Sequence, residues 1–240
     1  MTNRTAAGAV VLGVLIACAL VADARLFAAV RAHADTLASV FAVLTEVGNS
    51  AWSGLGALGL ASVCALAARR AGFARALALR QMQGVAWFVF VAVAAGGISV
   101  WLVKNMIGRS RPGTFDPPDP FAFAPFSFEA AFASFPSGHS TTALTVAVAL
   151  GFLVPRAWAI LIAIGCAAAA SRVVVGAHWV SDVLAGGAYG VAAAHLTRAW
   201  FAARGRVFRR PRADGRARPV LSAALWRRAL GLGPRPAPDR

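Results

Sequence analysis

Residues Ala157 to Arg198 read AWAILIAIGCAAAA-SRVVVGAHWVSD-VLAGGAYGVAAAHLTR. Apolar runs flank a short polar elbow, which is the pattern of two membrane helices joined at a surface. The elbow holds Ser171-Arg172, five residues, His178, three residues and Asp182. An arginine suits bidentate contact with phosphate oxygens. The four-residue step from His178 to Asp182 predicts that both side chains share one helix face. The carboxylate can then accept one ring N–H and leave the other nitrogen as nucleophile or base. A helix-end ion pair beside an arginine is the plainer alternative, and the rest of the chain decides between the two.

Composition places the whole chain in a membrane. Of 240 residues 59% are apolar and only 14% charged, and the mean hydropathy is +0.66, well outside the range of a soluble domain. The net charge of +15 is uneven. Half of the basic residues lie between Arg198 and Arg240, opposed only by Asp214 and Asp239. A basic tail directly after membrane spans sets orientation on the cytoplasmic side, so nucleic acid is not expected as a partner. Cys18, Cys64 and Cys166 sit in apolar runs without paired spacing and are expected to be buried small hydrophobes.

Taken in order, an apolar run from Ala6 to Ala22 is read as a first span, although Arg4 and the pattern Ala22-Asp23-Ala24 also fit a signal peptide. Residues 25 to 50 suit an interfacial helix and a turn. Further spans are expected over Ala51–Ala68, Val85–Val103, Thr141–Val154, Ala157–Ala170 and from His178 or Trp179 to Arg198, the fourth being short unless its helix begins nearer His139. Arg69, Arg70, Arg75 and Arg80 follow the second span without an acidic residue, a cytoplasmic-loop signal. Glycines 54, 56, 59, 186 and 187 are assigned to close helix packing. The expectation is an all-α bundle of six transmembrane helices over residues 1–200, with a basic cytoplasmic tail over 201–240.

Residues 108 to 137 contain six prolines and seven phenylalanines, which exclude one continuous helix. So much aromatic surface suits a loop lying on the bilayer interface or covering a site. On the expected topology Lys104, Arg109, Arg111, His139, Arg172, His178 and Asp182 all fall at the outer ends of spans, and ionisable groups in membrane helices mark functional sites. Lys104, Arg111 and Arg172 can hold a phosphate dianion. Ser137 can donate a hydroxyl hydrogen, and Gly138 lets a backbone N–H approach closely where a helix starts. Arg109 fits a second phosphate, a lipid headgroup or simple interfacial contact with lipid. His33 and His195 are read as structural or surface residues, and Glu46 and Asn49 are placed near the outer start of the second span.

Three motifs stand together: Lys104, six residues, Arg111-Pro112; Pro136-Ser137-Gly138-His139; and Ser171-Arg172, five residues, His178, three residues, Asp182. This set resembles the type 2 phosphatidic acid phosphatase (PAP2) superfamily, which also includes the vanadium haloperoxidases. The resemblance covers residues 104–182 in motif detail. It implies that His178 attacks phosphorus to form a phosphohistidine while Asp182 orients its imidazole and balances the charge. It implies that His139 protonates the leaving oxygen and then activates water, and that Lys104, Arg111, Ser137, Gly138 and Arg172 form the phosphate cradle. No metal or other cofactor is implied, since cationic side chains occupy the role of magnesium in other phosphoryl-transfer enzymes.

The expected activity is hydrolysis of a lipid phosphate monoester or pyrophosphate at the periplasmic face of a bacterial inner membrane, with both termini cytoplasmic. Undecaprenyl pyrophosphate, phosphatidylglycerol phosphate, phosphatidic acid and lipid A phosphate all fit a site at the bilayer edge. The alternatives are a lipid phosphotransferase and a noncatalytic lipid-phosphate binder or transporter. The second would need the cations but neither an acid nor a buttressed nucleophile.

Overall fold

The structure, a computed structural model, describes residues 3–34, 38–46, 48–209 and 219–220. Among the described residues seven α-helices follow one another: α1 (Asn3–Arg31), α2 (Ala38–Glu46), α3 (Ser50–Arg69), α4 (Phe73–Ile107), α5 (Gly138–Leu153), α6 (Trp158–Val174) and α7 (Val180–Ala203). Short 3-10 turns lie at Ala130–Phe132 and Pro155–Ala157, and the described residues contain no strand, only two isolated bridges. The expected all-α class therefore holds. Most of the basic tail, residues 210–218 and 221–240, lies outside the described residues.

Among the described residues four helical stretches are long and apolar enough to cross a bilayer: Val10–Arg31, Ser50–Arg69, Phe73–Ile107 and Pro155–Val174. They turn large apolar side chains outward, among them Val14, Val21, Leu55, Val63, Ile98 and Ile160, as helices facing lipid do. α5 is apolar but has only 16 residues, and α7, with 24, is not among the four.

Several boundaries differ from the sequence reading. α1 continues through Arg31, beyond the expected end at Ala22. Arg75 and Arg80 do not lie in a loop; the turn after α3 is tight, and both ride in the first turns of α4. At 35 residues α4 is about 52 Å long, against a hydrocarbon core of about 30 Å, so its basic start extends beyond an apolar slab. α5 begins at Gly138, which is how it gains the length that the run from Thr141 lacks. Cys18 and Cys166 lie exposed on the bundle surface, and only Cys64 is buried.

α5 is the central helix, packed on α4, α6 and α7 and buried at most positions from Ser140 to Leu153. Its seam with α7 is built of small residues. A Cβ at Gly186 would lie 2.4 Å from the Ser137 oxygen, and one at Gly190 would lie 2.3 Å from the Thr141 oxygen. The gap is bridged by Thr141 Oγ1 donating to Gly186 O (3.0 Å) and Thr145 Oγ1 donating to Gly190 O (3.2 Å), each a bond of about 0.6 kcal/mol in membranes. Gly56 and Gly59, by contrast, face open space and take no part in packing. At the far end, Phe88 meets Phe201 and Phe208 edge-on, at 5.4 and 5.0 Å between ring centroids.

Candidate active site

Because α4 and α6 end where α5 and α7 begin, their polar termini share one end of the bundle. Lys104 stands in the last turn of α4. Gly108 then terminates that helix in the left-handed region (φ +64°), its N–H donating to Lys104 O at 2.9 Å. A side chain there would collide with Ala124 O, 2.0 Å from an added Cβ. The chain leaves as Arg109-Ser110-Arg111, held by Ala124 N to Gly108 O (2.7 Å), Ser110 N to Ala122 O (2.9 Å) and Arg111 N to Ala131 O (2.8 Å).

Ser137 is the N-cap of α5. Its Oγ accepts from Ser140 N (3.4 Å) and from Ser140 Oγ (2.9 Å), and its own N–H donates to Asp182 O (3.0 Å). Gly138 follows within reach of Lys104, since an added Cβ would lie 3.7 Å from Nζ. His139, partly exposed, lies within electrostatic reach of Arg172, His178, Lys104 and Glu46.

Arg172 closes α6, and its carbonyl accepts from Ala177 N (3.0 Å) and His178 N (3.2 Å), which curls the elbow back over the helix end. Its Nη1 donates to Thr45 Oγ1 on α2. The Nε atoms of Arg111 and Arg172 are both buried without a hydrogen-bond partner. Burial holds the Arg111 guanidinium below its ordinary value, with the Asp182 carboxylate acting the other way.

His178 is 2% exposed. Its Nδ1 lies 3.5 Å from Asp182 Oδ2 and 3.4 Å from Ser134 Oγ, so Nδ1 faces the carboxylate and Nε2 points away from it. The pair does not share a helix face, contrary to expectation. α7 starts only at Val180, and Asp182 reaches back across that start to accept Trp179 N–H at 3.0 Å. A carboxylate three residues into a helix satisfies an orphan N–H there, and this brings it to His178. Burial pushes the His178 imidazole down to about 4, although the Asp182 carboxylate pulls the other way.

The largest correction concerns Arg109. It is not an interfacial arginine in contact with lipid, being 1% exposed. Nη1 donates to Asp182 Oδ1 (2.7 Å) and Ser181 Oγ (2.7 Å), Nη2 to Asp23 Oδ2 (2.8 Å) and Nε to Pro120 O (2.9 Å). Asp23, Ser134 and Ser181 are thus joined to the cluster although the sequence reading left them out. Asp23 carried a usable signal, being the single acidic residue before position 35 and standing in an apolar run. Glu46 lies within electrostatic reach of His139 and Arg172, and Asn49 Nδ2 donates to Glu46 Oε2 at 3.2 Å. His33 and His195 are exposed and lie outside the cluster, the latter edge-on to Phe152.

An open cavity of about 370 Å³, lined by Arg111, Gly113, Thr114, Ala130, Ala131 and Gly176, flanks the cluster. The proline-rich loop beside it exposes Phe115, Phe121, Phe123, Phe126 and Phe128 on the surface. A larger cavity, about 510 Å³, lies at the opposite end between α4 and α7 and contains none of these residues.

A family model described as the PAP2 superfamily matches residues 85–206, from α4 through α7 with every residue of the cluster except those on α1 and α2. The chain belongs to the PAP2 superfamily. A lipid A 1-phosphatase of Rhizobium johnstonii is 39% identical over 173 residues, covering 70% of this chain and 69% of that protein. A lipid A 1-phosphatase of Rhizobium etli is 38% identical, covering 70% and 72%. The crystal structure of a transmembrane PAP2 type phosphatidylglycerolphosphate phosphatase from Bacillus subtilis matches with a TM-score of 0.53 at 23% identity, covering 80% of this chain and 94% of that one. That likeness shows a shared fold. This PAP2 chain is accordingly a phosphatase built on membrane helices.

Proposed function

We propose that this PAP2 phosphatase hydrolyses a phosphate carried by a membrane lipid, through a phosphohistidine on His178, with the 1-phosphate of a lipid A-type glycolipid as its first substrate. What supports the chemistry is one arrangement: a buried imidazole backed by a carboxylate and within electrostatic reach of Lys104 and Arg111, with Arg172 in reach of both cations, the two arginines each keeping a buried Nε unpartnered. What supports the substrate is the pair of relatives near 39% identity named for lipid A.

In this reading His178 Nε2 forms the new bond to phosphorus as the bond to the lipid oxygen breaks. His139 gives its proton to that oxygen and then takes one from water, whose oxygen displaces Nε2 and releases inorganic phosphate. Asp182 accepts the Nδ1–H and balances the cationic phosphohistidine. Lys104, Arg111, Arg172, the Ser137 hydroxyl and the amide of Gly138 at the start of α5 hold the equatorial oxygens.

Six crossings, by α1, α3, α4, α5, α6 and α7, complete the proposal. Arg69, Arg70, Arg75, Arg80, Arg156, Arg204 and Arg206 all stand at the end away from the cluster, on the α3–α4 and α5–α6 turns, the start of α4 and the close of α7. The positive-inside rule then puts both termini in the cytoplasm and the site at the periplasmic face of an inner membrane. On that topology the basic residues after α7 are cytoplasmic as well.

The test is phosphate release by purified protein in detergent with chelator present. The panel comprises lipid A, undecaprenyl pyrophosphate, phosphatidylglycerol phosphate and phosphatidic acid, each with wild type and His178→Ala. Chelator-resistant release that is lost in the variant, and is fastest from lipid A, is the expected result. Equal release by the variant rejects the histidine route, and faster release from another lipid rejects the substrate.

A further inference from the structure

We infer that α1 works as a positioning element for catalysis, Asp23 and Arg109 acting through Asp182 to fix the imidazole of His178. The inference rests on the reading of His178 as nucleophile. It begins with a stripe on α1. Asp23, Phe27 and Arg31 recur every four residues and so lie on one helix face. Each grips a different point of the elbow that carries His178: Arg31 Nη1 donates to Val174 O at 2.8 Å, Phe27 meets the Trp179 ring edge-on at 5.3 Å, and Asp23 Oδ1 accepts Ser181 N–H at 3.0 Å. The elbow is therefore held before, beside and after the imidazole.

The second part is the path from Asp23 to the ring. Asp23 Oδ2 accepts from Ser181 Oγ and from Arg109 Nη2 (2.8 Å). Arg109 passes across to Asp182 Oδ1 (2.7 Å). With Oδ1 occupied, Asp182 presents Oδ2 to Trp179 N–H, Ser134 Oγ and His178 Nδ1. Its carboxylate plane, and with it the direction of the His178 ring, is fixed at both oxygens. Asp23, Arg109 and Asp182 are each at most 1% exposed. Stability alone is a poor reason for such a triad, because apolar residues of similar volume serve as well or better. A fixed imidazole axis is a good one, since a misplacement of about 1 Å at a reacting group can cost about 100-fold in rate.

Asp23 and Arg109 are buried and bound to protein groups outside the proposed phosphate cradle, so their removal should reach kcat through geometry and leave substrate binding almost alone. The experiment compares wild type, Asp23→Asn, Asp182→Asn and the double variant for kcat, KM and gel-filtration profile, with His178→Ala as control. The measured substrate is whichever lipid phosphate the wild type hydrolyses. Asp23→Asn is expected to lower kcat about 10- to 100-fold with KM changed less than about 3-fold. In the Asp182→Asn background the same change should cost less than about 3-fold more, because the route through Asp182 is already broken. Folded Asp23→Asn with kcat within about 2-fold of wild type overturns the inference, as does a full loss repeated in the Asp182→Asn background. If Asp23→Asn does not fold, Phe27→Leu decides: a kcat loss of about 3- to 10-fold at unchanged KM supports the clamp, and wild-type kcat removes it. Turnover retained by His178→Ala rejects the nucleophile itself, whereas a dead His178→Ala beside a fully active Asp23→Asn rejects only the role of α1.

Discussion

His178 and His139 lie in the same cluster in opposite surroundings. His178 is almost fully buried, on an elbow tied to α1, α6 and α7, with a carboxylate at its back. His139 stands partly open in the first turn of α5, surrounded by Arg172, Lys104 and the exposed Glu46. The difference suits the two duties proposed for them. A nucleophile gains from one fixed direction of attack, whereas a residue that passes protons to a leaving group and from water needs an open side.

Substitution breaks the comparison most directly. His178→Ala should abolish turnover, by about 10⁴-fold or more, and leave no acid-labile phosphate on the protein when it is quenched during turnover. His139→Ala should lower kcat/KM, which reports phosphoryl transfer to His178, about 10²- to 10⁴-fold on a lipid phosphate but far less on an aryl phosphate, whose leaving oxygen needs no proton. Equal losses on both substrates would erase the distinction between the two histidines.

The cradle comes next. Arg111→Lys and Arg172→Lys keep the charge but lose the planar fork, and each should lower kcat/KM about 10- to 100-fold with the fold intact. A change of less than about 2-fold in steady-state kinetics would remove that arginine from the phosphate site.

A pH titration sharpens the contrast without a mutation. Burial pushes the His178 imidazole down to about 4, so in the free enzyme it is neutral above that pH, the form that the proposed attack requires. The acid limb that it imposes on kcat/KM should lie near 4, not near the ordinary 6.5. The same shift bears on stability. Between 6.5 and about 4 the unfolded histidine binds a proton that the folded one does not, so its contribution is complete above 6.5 and is lost as pH falls through this window. Thermal melting of wild type and His178→Asn from pH 7 to 4 should converge as the pH falls. Parallel curves would contradict the shift. Glu46→Gln should have the smallest effect, about 2- to 5-fold on kcat, because the carboxylate is exposed and its charge reaches His139 and Arg172 screened by solvent.

The motifs made much of the cluster legible. Lys104, Arg111, His139, Arg172, His178 and Asp182 were expected at one depth because each ends or begins an apolar run, and the helices place them at one end. Asp23 and Arg109 escaped because their partnership spans 86 residues and leaves no trace in local periodicity. Asp23 also fits the small-residue pattern of a cleavage site, the alternative to a retained span. Helix ends were misjudged where polar residues ride inside helices, as at Arg25, Arg31, Arg75 and Arg80, since charge marks the edge of the apolar slab and not the end of the hydrogen-bonded coil. The loop over 108–137 was legible as irregular but not in shape. Phe126 and Phe128 adopt left-handed φ values of 60° and 58°, costly for bulky residues. Long-range partners hold them there: Asn105 O accepts Phe126 N–H at 2.8 Å, and Trp101 packs on Phe128.

The glycine seam between α5 and α7 also bears on the reaction itself. Gly186 lies against the backbone of Ser137, whose N–H donates to Asp182 O, so the seam meets the cluster one helical step from both histidine-bearing segments. Its thickness is the caliper setting of the enzyme. In the proposed mechanism His139 and His178 stand on either side of one phosphorus atom, and the span between them depends on the missing side chain of Gly186, which belongs to neither segment. Gly186→Ala would act as a shim, prising α5 and α7 apart while deleting no chemical group of the site.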